Sequence, residues 1–409
     1  MKRGTNLPAV AGYNQMLVLD LIRRAPDGIS RIELTHRTGL SAQTLSNVAR
    51  RLLQDGLVRE TGKEVNGPGK PRTILQLKPD ARCAVGVHLD PTVTTSVVLD
   101  LAGRVLARAT MRTPRGVPAE EIIDRLSASV TTLIASSGVA ADRILGVGVA
   151  SPGPLDPERG RVFDPPLLEE WRDVSLGAAL SRSTGCEVYV EKDVTAAIVA
   201  ETWTSPPDDM GNALLFYYGT GVGAGLVVNG AVVRGSSGNP GDIGHLIVDP
   251  DGPLCRCGTR GCLGDSVSPL ALVREAVGCG LVTGPSTGLD AVSVDLAFSR
   301  LLAQVEQGHQ EAIAIVERAA RRIARGVLHL VGVLDLDQVI FGGPFWQRIA
   351  GVVLDVVPRA VAHDPASMLT HGIQLRSSRF GADIAALGAA CVVLDRSLSP
   401  RAANLLIET

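Results

Sequence analysis

Apolar residues recur at helical spacing in three short segments at the start of the chain, and strand-like runs follow. Between Tyr13 and Ile22, Met16, Leu17, Leu19 and Leu21 form a helical stripe that Arg23, Arg24 and Pro26 bring to an end. Ser30-Arg31-Ile32-Glu33 has capping-box spacing, in which serine and glutamate satisfy free amides at a helix start. It predicts a second helix to about Arg37, turned by Gly39. Ser41 predicts the N-cap of a third helix that runs to Gln54 and stops at Gly56. On that helix Leu45, Val48 and Leu52 share one face. Ser41, Gln43, Thr44, Asn47, Arg50 and Arg51 stay off that face, and such polar groups suit base edges and phosphates in a DNA major groove.

Leu57-Val58-Arg59-Glu60 and Thr73-Ile74-Leu75-Gln76-Leu77 read as two strands around an Asn66-Gly67 turn. Lys63, Lys70 and Arg72 make the connecting loop a basic wing, and Gly69 and Pro71 let it lie flat in a minor groove. A three-helix unit with a hairpin also serves protein–protein contacts, so charge helps to decide. Residues 1–80 hold 13 Lys and Arg against 7 Asp and Glu, a net +6, and the remainder holds 27 against 35, a net −8. A basic head on an acidic body favours double-stranded DNA as the partner of residues 1–80.

From Cys83 onward strands and helices alternate. Ala84–Val87, Thr95–Leu99, Val105–Ala107, Ile144–Val149, Val188–Glu191 and Ala213–Tyr218 read as strands, and Ala119–Ser136 and Asp193–Glu201 as helices. The alternation predicts an α/β body with mixed sheets covered by helices. With aromatics at only 3% of the chain, its core has to be built from Val, Leu, Ile and Ala. Gly219-Thr220-Gly221-Val222-Gly223 follows a strand and has the make-up of a phosphate cradle, although glycine-rich hairpins without ligands are equally common.

His245, Cys255, Cys257 and Cys262 fall within eighteen residues, with Gly258 and Gly261 between them. Three thiolates and an imidazole are a closed tetrahedral set for a structural Zn2+ ion; the plainer reading is three buried thiols beside an unrelated histidine. Seven cysteines, three of them clustered, favour a metal site in a reducing compartment over a disulfide framework. No apolar run of membrane-spanning length occurs, and Met1-Lys2-Arg3-Gly4 does not open a secretory signal, so a cytoplasmic location without membrane contact is expected.

These pieces together resemble the ROK family (repressors, open reading frames and sugar kinases) over nearly all of residues 81–409. The resemblance rests on Ser151-Pro152-Gly153-Pro154, Glu191-Lys192-Asp193, Gly219-Thr220-Gly221, Gly241-Asp242-Ile243-Gly244-His245, the cysteine segment, Phe341-Gly342-Gly343 and the tail from Gly381 to Ala390. It implies an actin-like (RNase H-like) two-lobed domain behind the winged helix-turn-helix, a sugar site in the cleft, and a homodimer or homotetramer. The boundaries expected are residues 1–80 for the head, 81–203 with 385–409 for the first lobe, and 204–384 for the second.

Family kinases open the body with Asp-hydrophobic-Gly-Gly-Thr, where this chain has His88-Leu89-Asp90-Pro91-Thr92. A proline has no donor amide, and a carboxylate repels phosphates. The resemblance therefore implies lost kinase activity, with Asp193 at a vestigial base position and no catalytic residue. The positions matching the kinase sugar site hold Lys192, Asp193, Asp242, His245 and Gly264. The expected function is a transcriptional regulator of carbohydrate metabolism that senses a sugar or sugar derivative. The alternatives are an ATP-dependent sugar kinase with a DNA-binding head, and a constitutive DNA binder whose body only dimerises.

Overall fold

A computed structural model describes residues 7–64, 72–114, 116–165, 168, 171–206, 209–283, 290–363 and 371–400. The head contains α1 (Leu7–Arg23), β1 (Ile29–Ser30), α2 (Arg31–Thr38), α3 (Ala42–Gln54), β2 (Val58–Glu64) and β3 (Arg72–Leu77). Local hydrogen bonds fix its helix starts. The Ser30 hydroxyl accepts the Glu33 amide at 3.2 Å and the Glu33 carboxylate accepts the Ser30 amide at 3.0 Å, so the capping box is complete. Gly39 ends α2 in the left-handed region. β1, two residues long, pairs antiparallel with β3 through Ile29 and Leu75, which gives a sheet ordered β1-β3-β2.

The body begins with β4 (Cys83–His88), β5 (Val93–Asp100), β6 (Val105–Arg112), α4 (Ala119–Ser136) and β7 (Ile144–Ser151). A small ribbon, β8 (Leu155–Asp156) with β9 (Arg161–Val162), precedes α5 (Leu176–Thr184), β10 (Val188–Lys192) and α6 (Asp193–Thr204). Then come β11 (Ala213–Tyr218), β12 (Val222–Val228), β13 (Ala231–Val232), α7 (Leu263–Val267), α8 (Pro269–Gly278), α9 (Ala291–Glu306) and α10 (Gln310–Leu334). The last elements are β14 (Gln338–Gly342), α11 (Ala350–His363), β15 (Gln374–Ser377) and α12 (Ile384–Leu398).

Two five-stranded sheets result, ordered β10-β7-β4-β5-β6 and β13-β12-β11-β14-β15. Both follow one plan: three antiparallel strands, then two strands that add in parallel on the far side of the first. The body is therefore a repeated α/β unit with two lobes. Among the described residues no helix is long and apolar enough to cross a membrane.

α6 and α12 hold the lobes together. Nearly every side chain of α6 from Val194 to Trp203 is buried, as expected of a helix apolar all round. α6 follows the last strand of the first sheet and packs against β11 and β12 of the second; α12 follows the last strand of the second and packs against β4 and β7 of the first. The two helices cross so closely that a Cβ on Gly388 would lie 1.9 Å from the carbonyl oxygen of Ala196. Only glycine fits there. Gly388→Ala is expected to force the helices apart at a cost of about 1–3 kcal/mol or more, lowering the melting temperature by about 5 °C. Thermal melts that superpose on the wild-type curve would contradict this packing.

Candidate functional site

On α3 the inner side chains Leu45, Val48, Ala49 and Leu52 are buried, and Gln43, Asn47, Arg50 and Arg51 are exposed. Ser41 caps the helix that follows it. Its hydroxyl accepts the Thr44 amide at 3.2 Å and lies 2.9 Å from the Thr44 hydroxyl. Both residues therefore sit at the positive end of α3, where amides favour an anion. Arg50 donates to the Asn47 side-chain carbonyl at 2.9 Å, which orients that amide on the outer face. Lys70 and the side chain of Arg72 lie outside the described residues.

A second candidate site is a cavity of about 730 Å³ between the lobes. Its walls come from the ends of β4, β7 and β10, the start of α6, the β11–β12 turn, and the segment that carries His245 and the cysteines. Asp193 is the first residue of α6 and accepts the Val194 amide at 2.8 Å. Burial pushes its carboxyl above the usual carboxylate range, and the neighbouring His88 opposes that rise. His88 is itself buried and meets the Tyr217 ring edge-on, with ring centres 6.5 Å apart. The Tyr217 hydroxyl is buried without a hydrogen-bond partner among the described residues, a costly state for a polar atom.

Lys192 is half-buried and lines this cavity; its ammonium donates to the Asn239 carbonyl at 3.5 Å. Asp242 and His245 line it too, and Asp242 accepts the Gly244 amide at 3.3 Å. Lys192, Asp193, Asp242 and His245 thus share one cavity. Gly264 lies on its wall with no side chain to offer, and Asp265 lies beside it, 3.9 Å from Arg274. Also on the wall, the Asp90 carboxylate accepts the Thr92 amide at 2.8 Å, and Pro91 follows it. Tyr217, Arg256 and Arg274 were not singled out by sequence. Tyr217 reads as an ordinary strand residue, and the two arginines read as surface charges.

The set that could hold a metal ion is compact. The donor atoms of His245, Cys255, Cys257 and Cys262 all lie within 4.8 Å of one another, with Cys255 Sγ 3.6 Å from His245 Nδ1 and Cys257 Sγ 3.6 Å from Cys262 Sγ. These separations suit four ligands around one small cation. Gly261 is needed for the bend: its φ is +72°, and a Cβ there would lie 1.6 Å from the Asp249 carbonyl oxygen. The Thr259 amide holds the Cys257 thiol down at about 6, while a hydrogen bond with Asp265 pushes Cys255 up to about 12. A metal ion held here would displace protons from the raised thiols, so its binding would tighten as pH rises.

Residues 84–396 match the ROK family, and residues 12–65 match the MarR family. The chain belongs to the ROK family. Its head is a MarR-type winged helix, and its body is the actin-like ROK domain. A putative xylose repressor of Caldicellulosiruptor sp. (strain Rt8B.4) is 25% identical over 397 residues, covering 96% of this chain and 98% of that protein. The glucokinase of Thermotoga maritima is 28% identical over 76% of this chain and 97% of its own length. In three dimensions, a ROK family transcriptional regulator described as a homologue of the Escherichia coli MLC protein superposes with a TM-score of 0.78 at 22% identity. That match covers 95% of this chain and 98% of the other. The repressor thus matches head and body, and the kinase matches a stretch the length of the body.

In this ROK chain the sulfur and imidazole set lies next to the bend at Gly261, and His245 and Cys255 also line the cavity. Cys257→Ser is expected to remove about one bound metal ion per chain and to lower the melting temperature by about 5 °C or more. Elemental analysis of wild-type and variant protein, with melts on the same samples, checks both effects.

Proposed function

We propose that the chain is a DNA-binding transcriptional regulator of carbohydrate metabolism that acts as a homodimer or homotetramer and senses a sugar or sugar derivative in the interlobe cavity. The observation that carries this reading is the exposed polar face of α3 on a MarR-type head, joined to a cleft that keeps Asp193 and His245. The similarity to a xylose repressor along the whole chain supports it. In this reading Ser41, Gln43, Thr44, Asn47, Arg50, Arg51, Lys70 and Arg72 contact DNA. Lys192, Asp193, Asp242 and His245 hold the effector. His245, Cys255, Cys257 and Cys262 bind a structural Zn2+ ion. The head occupies residues 1–80, the first lobe 81–203 with 385–409, and the second lobe 204–384, with the protein working in the cytoplasm.

A second reading, an ATP-dependent sugar kinase, draws support from Asp193 and from the similarity to a glucokinase. Opposing it, Asp90 and Pro91 match the family kinases' glycine pair, whose amides hold phosphates, and Gly264 supplies no carboxylate. A coupled ATPase assay over a panel of sugars is expected to give no turnover above background; sugar-dependent turnover would favour the kinase.

Asn47 and Arg72 are expected to fail differently as alanine variants. Loss of Asn47 relaxes preference at one base pair by about 1–3 kcal/mol. Loss of Arg72 weakens binding to all sequences and flattens the salt dependence by about one unit of slope. Binding titrations on selected and random duplexes at several salt concentrations separate the two.

The half-buried ammonium of Lys192 supports an anionic effector. A charge-assisted hydrogen bond contributes about 1.5 kcal/mol or more, so a phosphorylated or acidic sugar is expected to bind about tenfold tighter than its neutral parent. Calorimetry on matched pairs reads that ratio, and Lys192→Asn should abolish it. A preference for the neutral sugar that survives the substitution refutes the anionic effector.

A further inference from the structure

α6 reaches the cleft, the second sheet and the head. At its first residue, Asp193 lines the cavity. One turn before its end, the fully buried Glu201 carboxylate accepts Arg376 at 3.0 Å and the Ser378 hydroxyl at 2.6 Å, both from β15 and the residues just after it. A buried carboxylate held from another element fixes the relative position of the two, because separating them leaves an unpaired charge. At its far end the free carbonyls of α6 meet the head. Arg23, the last residue of α1, donates to the Trp203 carbonyl and stacks its guanidinium 3.7 Å from the centre of the Trp203 ring. Its side chain is only 6% exposed, and Asp20 holds it at 2.5 Å. Arg24 donates to the Ser205 carbonyl at 3.2 Å.

Two cations, Arg23 at the end of α1 and Arg24 just after it, therefore cap the negative end of α6, an arrangement favoured by the helix dipole. Trp203 is also tied down, its indole donating to the Leu101 carbonyl at 3.2 Å. Leu19, Ile22 and Leu77 of the head lie in one apolar cluster with Leu101, Trp203 and Leu394 of the body. The head is not tethered by a bare linker; it is docked. Twelve helical residues place that docking point about 18 Å along α6 from the cleft.

We infer that the Arg23–Trp203 clamp couples the effector cleft to DNA affinity, α6 carrying changes at Asp193 and at the Glu201–Arg376 pair to the seat of the head. The inference rests on the regulator reading above. The clamp is a positioning contact: Arg23 and Trp203 touch neither the cavity nor the exposed face of α3.

The test uses the full-length protein and a duplex selected by the wild type from a random pool. The probes are xylose, glucose, N-acetylglucosamine and the 6-phosphates of the latter two. For each, calorimetry gives the sugar Kd, and fluorescence anisotropy gives the DNA Kd with and without saturating sugar. In the wild type an effective sugar is expected to change DNA affinity about tenfold or more. In Arg23→Met, which keeps an apolar stem over the indole, that ratio should fall to about twofold or less, while the sugar Kd stays within about threefold. Trp203→Phe is the second variant; it retains a ring and loses the bond to Leu101. A contact that only stabilises the fold would lower the melting temperature and leave the ratio intact. An unchanged ratio in both variants, against a responsive wild type, overturns the clamp alone. A wild type that binds sugar with no change in DNA affinity removes the regulator reading, and the clamp with it.

Discussion

The approach of two helix backbones, Gly388 of α12 against Ala196 of α6, is the contact on which both lobes depend. Each helix emerges from one sheet and packs against the other, so neither lobe has a complete apolar layer by itself. The small residues around the crossing, Ala196, Ala197, Ala389 and Ala390 among them, are fully buried. Larger side chains would move α6, and with it Asp193 at one end and Trp203 at the other. The cleft and the seat of the head are thus set by one packing decision.

The chemistry of the cleft follows from what that position exposes. Asp193 enters the cavity at the start of a buried helix, and the burial of its carboxyl group pushes that group up. Tyr217 lines the cavity near it with His88 packed edge-on against its ring, and Asp90 with Pro91 lies on the same wall. His245 lines the same cavity while belonging to the cysteine and histidine cluster. The loop that carries the three cysteines forms part of the wall, and its bend depends on one tight glycine, Gly261.

Much of this was legible in the sequence wherever a local interaction fixes the structure. The Ser30–Glu33 box and the Ser41 cap mark the starts of α2 and α3 because each satisfies amides within four residues. Helix Ala119–Ser136 and strand Ala213–Tyr218 have the bounds their periodicity predicts. The cysteine and histidine spacing foretold a set that the structure gathers within 4.8 Å. Features that depend on distant partners were not legible. β1 is two residues long and exists through its pairing with β3, whose residues come much later in the chain. Between Asp265 and Phe341 no motif stands out, and the structure alone divides that stretch into α8, α9 and α10. Lys192 sits where a strand becomes a helix, a place where neither period says which way a side chain points. Arg23 reads as the exposed basic end of an amphipathic helix, yet its main partner is 180 residues further along the chain.

The repeated plan of the two sheets has a mechanical consequence. Since each lobe lends the helix after its final strand to the other, pulling the lobes straight apart would strip both helices from their sheets at once, and is strongly resisted. Rotation about the point where Ala196 and Gly388 touch disturbs far less surface, because small side chains there leave little to interlock. The body is built as a pair of crossed levers sharing one fulcrum. A small swing of the cleft jaws about that point would swing the opposite arm as well, and that arm ends under the head.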